Sequence, residues 1–172
     1  MRFSVWAAVL ALGLPAALNA QSSAADYVAG TEHPRLILKP QRLRLLRRER
    51  ERESMRWLHF ASLMEGKARM PEPLFAAALH RAVVNNKSAP PLAVSPAASI
   101  REVALVADWT APEDRALLDR LRASLSTPVT SFAHARDRAF AAIVLGDGRA
   151  MLELVETWWR GKTAPRIERG EL

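Results

Sequence analysis

From Pro40 onward the apolar residues recur at the spacing of one helix face, and proline or glycine interrupts the pattern each time. That feature constrains the fold more than any motif. The first stripe runs Leu43, Leu46, Trp57, Phe60 and Met64, and predicts one helix from Pro40 to Gly66. Pro71 to Val84 predicts a second helix, with Leu74, Phe75, Ala78 and Leu79 apolar. Ser99 to Trp109 predicts a third; its unbroken run Val103 to Ala107 marks it as buried. Thr110-Ala111-Pro112-Glu113 reads as a capping box for a fourth helix carrying Leu117, Leu118, Leu121 and Leu125. A fifth begins near Ser131, and Phe132, Ala135, Ala139, Ala142 and Ile143 share one of its faces. After the turn Gly146-Asp147-Gly148, a sixth places Met151, Leu152, Val155, Trp158 and Trp159 together, until Gly161 and Pro165 close it. Alternation of strand type occurs only at Arg35 to Lys39, between prolines. The expected class is all-α, built of antiparallel helical hairpins.

Composition narrows the chemistry. The 172 residues include no cysteine, which excludes disulfides, thiolate metal sites and a cysteine nucleophile. Tyr27 is the single tyrosine, and the histidines are His33, His59, His80 and His134. The formal net charge is +7. Between Lys39 and Arg56 lie eight basic and three acidic residues, so five of the seven net charges sit on one short stretch. A basic helix suits an anionic polymer or an acidic surface. The plainer reading is a solvated face with ion pairs such as Arg47 with Glu51 at i,i+4.

The first twenty residues read as an address. Met1-Arg2 is followed by an apolar run from Phe3 to Leu18, and Ala20 offers a cleavage point. The run falls short of the roughly 20 apolar residues of a membrane span, and no cysteine follows it to carry a lipid. Residues 1–20 are expected to be a signal peptide, residues 21–38 an extended lead-in, and residues 39–172 the helical domain. The mature protein is then periplasmic or secreted from a bacterium, with no stable membrane insertion and no nucleic-acid partner.

No reaction centre is visible from spacing. The sequence has no Gly-rich phosphate loop, no His-Glu-x-x-His and no Gly-x-Ser-x-Gly, and spacing suggests no metal or cofactor. His134-Ala135-Arg136-Asp137-Arg138 is the densest polar cluster within a predicted helix. Arg136 or Arg138 could pair with Asp119 of the neighbouring helix, or bind a sugar carboxylate through the guanidinium fork. Trp109, Trp158 and Trp159 are candidates for stacking on sugar rings, although aromatic residues at helical spacing more often belong to a core.

Several stretches, in order, resemble one family. His33-Pro34-Arg35-Leu36-Ile37-Leu38, followed by Lys39-Pro40-Gln41-Arg42-Leu43, resembles the opening of the heparinase II/III-like polysaccharide lyases. Ala104-Leu105-Val106-Ala107-Asp108-Trp109 resembles a helix of that family ending in an aromatic residue and Asp-Trp, with Ala107 in the aromatic position. Arg136-Asp137-Arg138 and Trp158-Trp159-Arg160-Gly161-Lys162 resemble later helices of the same domain. The resemblance runs from Glu32 to the C-terminus. It implies part of an incomplete α/α toroid, a uronic-acid-containing polysaccharide as ligand, and β-elimination in the full-length family. That reaction needs a carboxylate neutraliser, a base and an acid, commonly Tyr and His. The family's catalytic residues lie further along the toroid, so none is assigned here. Trp109, Arg136, Arg138, Trp158 and Trp159 remain the candidate substrate-binding residues. A small basic helical module that binds an anionic glycan or envelope component is the alternative.

Overall fold

The computed structural model describes residues 23–66, 68–86 and 89–171; the expected leader, residues 1–20, lies outside them. The described chain is all-α, with no strand. A 3-10 turn, Ala24–Tyr27, precedes α1 (Pro40–Glu51), α2 (Met55–Glu65), α3 (Pro73–Val84), α4 (Ile100–Thr110), α5 (Arg115–Leu125), α6 (Phe132–Leu145) and α7 (Gly148–Glu153). A π-helical segment, Leu154–Thr163, then leads into α8 (Ala164–Glu168). No described helix is long and apolar enough to cross a membrane.

Side-chain caps set most helix starts. Ser54, Asp114, Ser131 and Asp147 each accept from the backbone three residues on. Ser99 and Glu102 form a reciprocal box at the start of α4. The box expected at Thr110 does not form. Thr110 is still helical, and its hydroxyl donates to the Val106 carbonyl at 2.9 Å. Asp114 caps α5 instead, accepting from the Leu117 amide at 3.2 Å. The single helix expected from Pro40 to Gly66 is two helices. Glu53 takes φ 50, and Ser54 opens α2 by accepting from the Trp57 amide at 3.3 Å. A non-glycine residue at positive φ stops the hydrogen-bond ladder, and the serine cap begins a new one.

The strand-like stretch forms no strand but keeps its alternation. Ile37 takes φ 50 and stands exposed, with the Leu38 amide donating back to the Leu36 carbonyl. Leu36 and Leu38, 3% and 2% exposed, therefore both enter the core.

The core centres on α4. Every residue from Val103 to Trp109 is buried, and α4 packs against α3, α5 and α6. Small side chains, Ala104 and Ala107 on α4 and Ala141 on α6, are fully buried and allow close helix approach. Like ends of α3, α4 and α6 lie together. Glu72 at the start of α3 pairs with Arg101 in the first turn of α4, and Asn85 and Thr110 at their far ends line one cavity. Ile100 lines a second cavity with His134 and Asp137 of α6. The short α4–α5 and α5–α6 connections make α5 run the opposite way. α2 reverses against α3: Trp57 stacks on His80 while Phe60, further along α2, reaches Phe75. The stretch from 85 to 99 returns the chain without a helix.

After α7 the π-helical turn shifts the phase of the last apolar stripe. Leu154 is buried, Trp158 lies half-buried and edge-on to Phe132 at 4.9 Å, and Trp159 is 45% exposed. Trp158 and Trp159 therefore do not present one shared face. Glu156 and Arg160, at i,i+4, pair at 2.7 Å.

The lead-in is not extended throughout, because its 3-10 turn packs on α7. A Cβ on Gly148 would collide with the Ala24 carbonyl and come within 2.8 Å of Val28 Cγ2. Gly148→Ala gains up to about 1 kcal/mol of helix propensity, but a backbone collision costs more than that. The variant is expected to release the lead-in, read as faster proteolysis between residues 24 and 30 with α4 still protected from hydrogen exchange.

His80 stacks on Trp57 with centroids 5.5 Å apart and rings 7° from parallel. Desolvation lowers its pKa from the ordinary 6.5, and Glu65 opposes this weakly. The unfolded chain therefore binds a proton first as pH falls, so stability rises with pH across that window. Lowering pH from about 7 to about 5 is expected to reduce the melting temperature. His80→Gln is expected to flatten that part of the profile.

Candidate functional site

Asp108 is the most deeply buried charged residue described, at 1% exposure. Burying a carboxylate is costly unless donors surround it. Three come from the lead-in. The Arg35 amide approaches both oxygens, at 3.0 and 2.8 Å, the Leu36 amide donates at 2.7 Å, and His33 Nδ1 lies 2.6 Å from Oδ1. The His33–Pro34 peptide bond is cis. Trp109 Nε1 donates to the Leu36 carbonyl at 3.0 Å. The Arg35 guanidinium reaches the other way and donates to the Ile143 and Val144 carbonyls, both at 3.1 Å, at the end of α6. His33-Pro34-Arg35-Leu36 is thus stapled to Asp108-Trp109 and to α6. The Asp108 oxygens accept backbone amides as well as the imidazole, so this carboxylate positions the chain.

Sequence named Asp108 only as part of a family-like run and gave it no role of its own. The signal was present: a lone carboxylate closing an unbroken apolar run, Val103 to Ala107.

The basic stretch divides by face. Arg47 Nη2 donates to the Ala82 carbonyl at 3.1 Å, and Arg50 Nη1 to the Val83 and Val84 carbonyls at 3.1 and 2.6 Å. Both arginines cap the C-terminal end of α3, where carbonyls lack helical partners. Arg47 is thereby drawn away from the Glu51 pairing expected on a solvated face. Arg42, Arg44, Arg48 and Arg52 stay exposed.

Between α1, α3 and the end of α4 lies a cavity of about 250 Å³. Arg47, Arg81, Asn85, Trp109 and Thr110 line it. Arg81 donates to the Ala89 and Pro90 carbonyls. Sequence placed Arg47 in a surface ion pair and did not single out Arg81 or Asn85, because Arg47 meets residues at least 34 positions away only through helix packing.

The five sequence candidates do not converge. Trp109 is buried, edge-on to Phe75 with centroids 5.3 Å apart, beside the cavity just described. Arg136 pairs with Asp137 at 2.6 Å and Arg138 with Glu153 at 3.1 Å, while Asp119 pairs with Arg122 at 2.5 Å on its own helix. The Asp119 bridge expected between helices is therefore absent among these pairs. Arg138, His134 and Asp137 line the second cavity, of about 240 Å³, together with Ile100, Ser124 and Thr127. Trp109 and Ile100 stand at opposite ends of α4, roughly 14 Å apart along its axis. Trp158 meets Phe132, at the start of α6. Among the described residues no cluster of three or more His, Cys, Asp or Glu side chains could hold a metal ion.

No family model matches the chain, and neither the curated proteins nor the solved structures compared with it include a match.

Asp108→Asn keeps the size but turns an amide NH₂ toward donors. The variant is expected to lose about 3 kcal/mol of stability, read by denaturant unfolding. Trp109→Phe, which removes one hydrogen bond and part of a ring, is expected to cost about 1–2 kcal/mol. An Asp108→Asn loss no larger than that of Trp109→Phe would show that the carboxylate does not hold the lead-in.

Proposed function

We propose that the chain is the N-terminal toroid portion of an exported heparinase II/III-like protein, that it binds uronic-acid-containing polysaccharide, and that alone it performs no β-elimination. The observation that carries this reading is the staple. The two stretches most like the family, His33-Pro34-Arg35-Leu36 and Asp108-Trp109, are 73 residues apart and bond directly to each other. Their co-occurrence thus has a physical reason. The reversals α2–α3 and α4–α5–α6 support a reading as hairpins, while α3 and α4 run in the same direction across the helix-free return from 85 to 99.

The positions of the acid–base residues support the reading that the chain alone performs no elimination. Tyr27 lies in the 3-10 turn that packs on α7. His33 is engaged with Asp108, His80 with Trp57, and His134 with Thr130 at 2.8 Å. These groups come from separate parts of the fold and do not form a shared centre with a carboxylate neutraliser.

Polymer contact is assigned to the exposed face of α1. Arg44 and Arg48 on α1, and Arg52 just past its end, follow at i,i+4 spacing and form one exposed row. The same row supports the alternative reading of a small basic module for an anionic glycan or envelope component.

The protein is expected to be retained on immobilised alginate or heparin, with retention falling as salt rises. At about 0.5 kcal/mol per exposed charge contact, replacing Arg44, Arg48 and Arg52 by Gln is expected to weaken low-salt binding about tenfold. Unchanged retention would exclude this row as the contact. Formation of unsaturated uronate by the 172-residue chain would overturn the claim of inactivity.

A further inference from the structure

We infer that the cavity between α1, α3 and the end of α4 binds a single carboxylate-bearing sugar ring. The inference rests on the polysaccharide reading for the identity of the sugar, and on the cavity itself for the chemistry.

Arg47 and Arg81, from different helices, line this space, and no carboxylate is among its described lining residues. A guanidinium carries five N–H donors. Arg47 donates through Nη2 to one carbonyl. Arg81 uses each Nη once, on Pro90 and Ala89. These bonds hold both forks in place without using all of their donors. A planar carboxylate matches such a fork better than any neutral group does.

The remaining lining suits the rest of a sugar. Asn85 offers an amide donor and acceptor, and Thr110 lies beside it at the end of α4. Trp109 supplies an apolar face. It is already fixed by its bond to the Leu36 carbonyl and by the edge of Phe75, so binding loses little side-chain freedom. About 250 Å³ lies below the roughly 300–1,000 Å³ of sites for drug-sized ligands. That size fits one ring and excludes an oligosaccharide. The outward arginine row lies on α1, the helix that also contributes Arg47.

The test follows the Trp109 indole N–H resonance of the full chain during titration with glucuronate, glucose and inorganic phosphate. Glucuronate is expected to shift it saturably, and glucose and phosphate are not. Asn85→Gly retains a residue that accepts φ 56 while removing the amide. It is expected to weaken glucuronate about fivefold with the melting temperature unchanged. Arg81→Lys keeps the charge but loses the fork, and is expected to weaken it about tenfold. No shift with glucuronate, an equal shift with glucose or phosphate, or wild-type titrations in both folded variants would overturn the inference. Alginate retention measured alongside separates the two readings. If the polymer is retained through Arg44, Arg48 and Arg52 but glucuronate does not reach Trp109, the cavity inference fails and the polysaccharide reading stands. If glucuronate shifts Trp109 and the polymer is not retained, the cavity inference stands and the polysaccharide reading fails.

Discussion

Three donors from one short segment converge on the Asp108 carboxylate, and the paths of three parts of the chain follow from that. The Arg35 and Leu36 amides and the His33 imidazole approach it within 3.0 Å. Because the carboxylate is buried in the middle of the helical stack, losing any donor would leave charge without compensation in a medium of low dielectric. The lead-in is therefore part of the core: Leu36 and Leu38 pack with α4, and the Arg35 guanidinium continues to the carbonyls ending α6. A polar residue in an apolar helix here specifies where the preceding segment must lie.

Arginine has a comparable structural use elsewhere. Arg35, Arg47, Arg50, Arg81 and Arg120 all donate to backbone carbonyls, several at helix ends or in the connection from 89 to 98. Helix C-termini present carbonyls without partners and a partial negative charge, and a guanidinium answers both. The net charge of +7 therefore overstates what the surface offers a polyanion. On α1, chemically identical residues divide into caps for α3 and an exposed row, purely by position around the helix.

Legibility in the sequence varied with the range of the interaction concerned. The buried helix α4, the Ser131 cap of α6 and the Glu156–Arg160 pair could be read directly, because each depends on residues within about one turn of one another. The break at Glu53 could not, since Leu46 and Trp57 keep one helical phase across the charged middle and only the Ser54 cap hints at a restart. Thr110 was misread because one hydroxyl can cap a following helix or bond back to its own, and the Val106 carbonyl won. The π-helical turn shifted the stripe after Leu154, and Trp158 and Trp159, adjacent around the helix, ended with different exposure.

The candidate site was less legible than the fold. Of its residues only Trp109 was a binding candidate, and for stacking alone, with no sign that its indole also anchors the lead-in. Sequence by itself determined the all-α class, the approximate number and order of helices, and the concentration of positive charge before residue 56. These follow from periodicity, breakers and local capping, which act over a few residues. Tertiary structure decided which carboxylate holds the lead-in, which arginines turn inward, and which side chains share a cavity. Those outcomes depend on bringing α1, α3, α4 and α6 together, and the hydrogen bonds that select among chemically identical residues exist only after they pack.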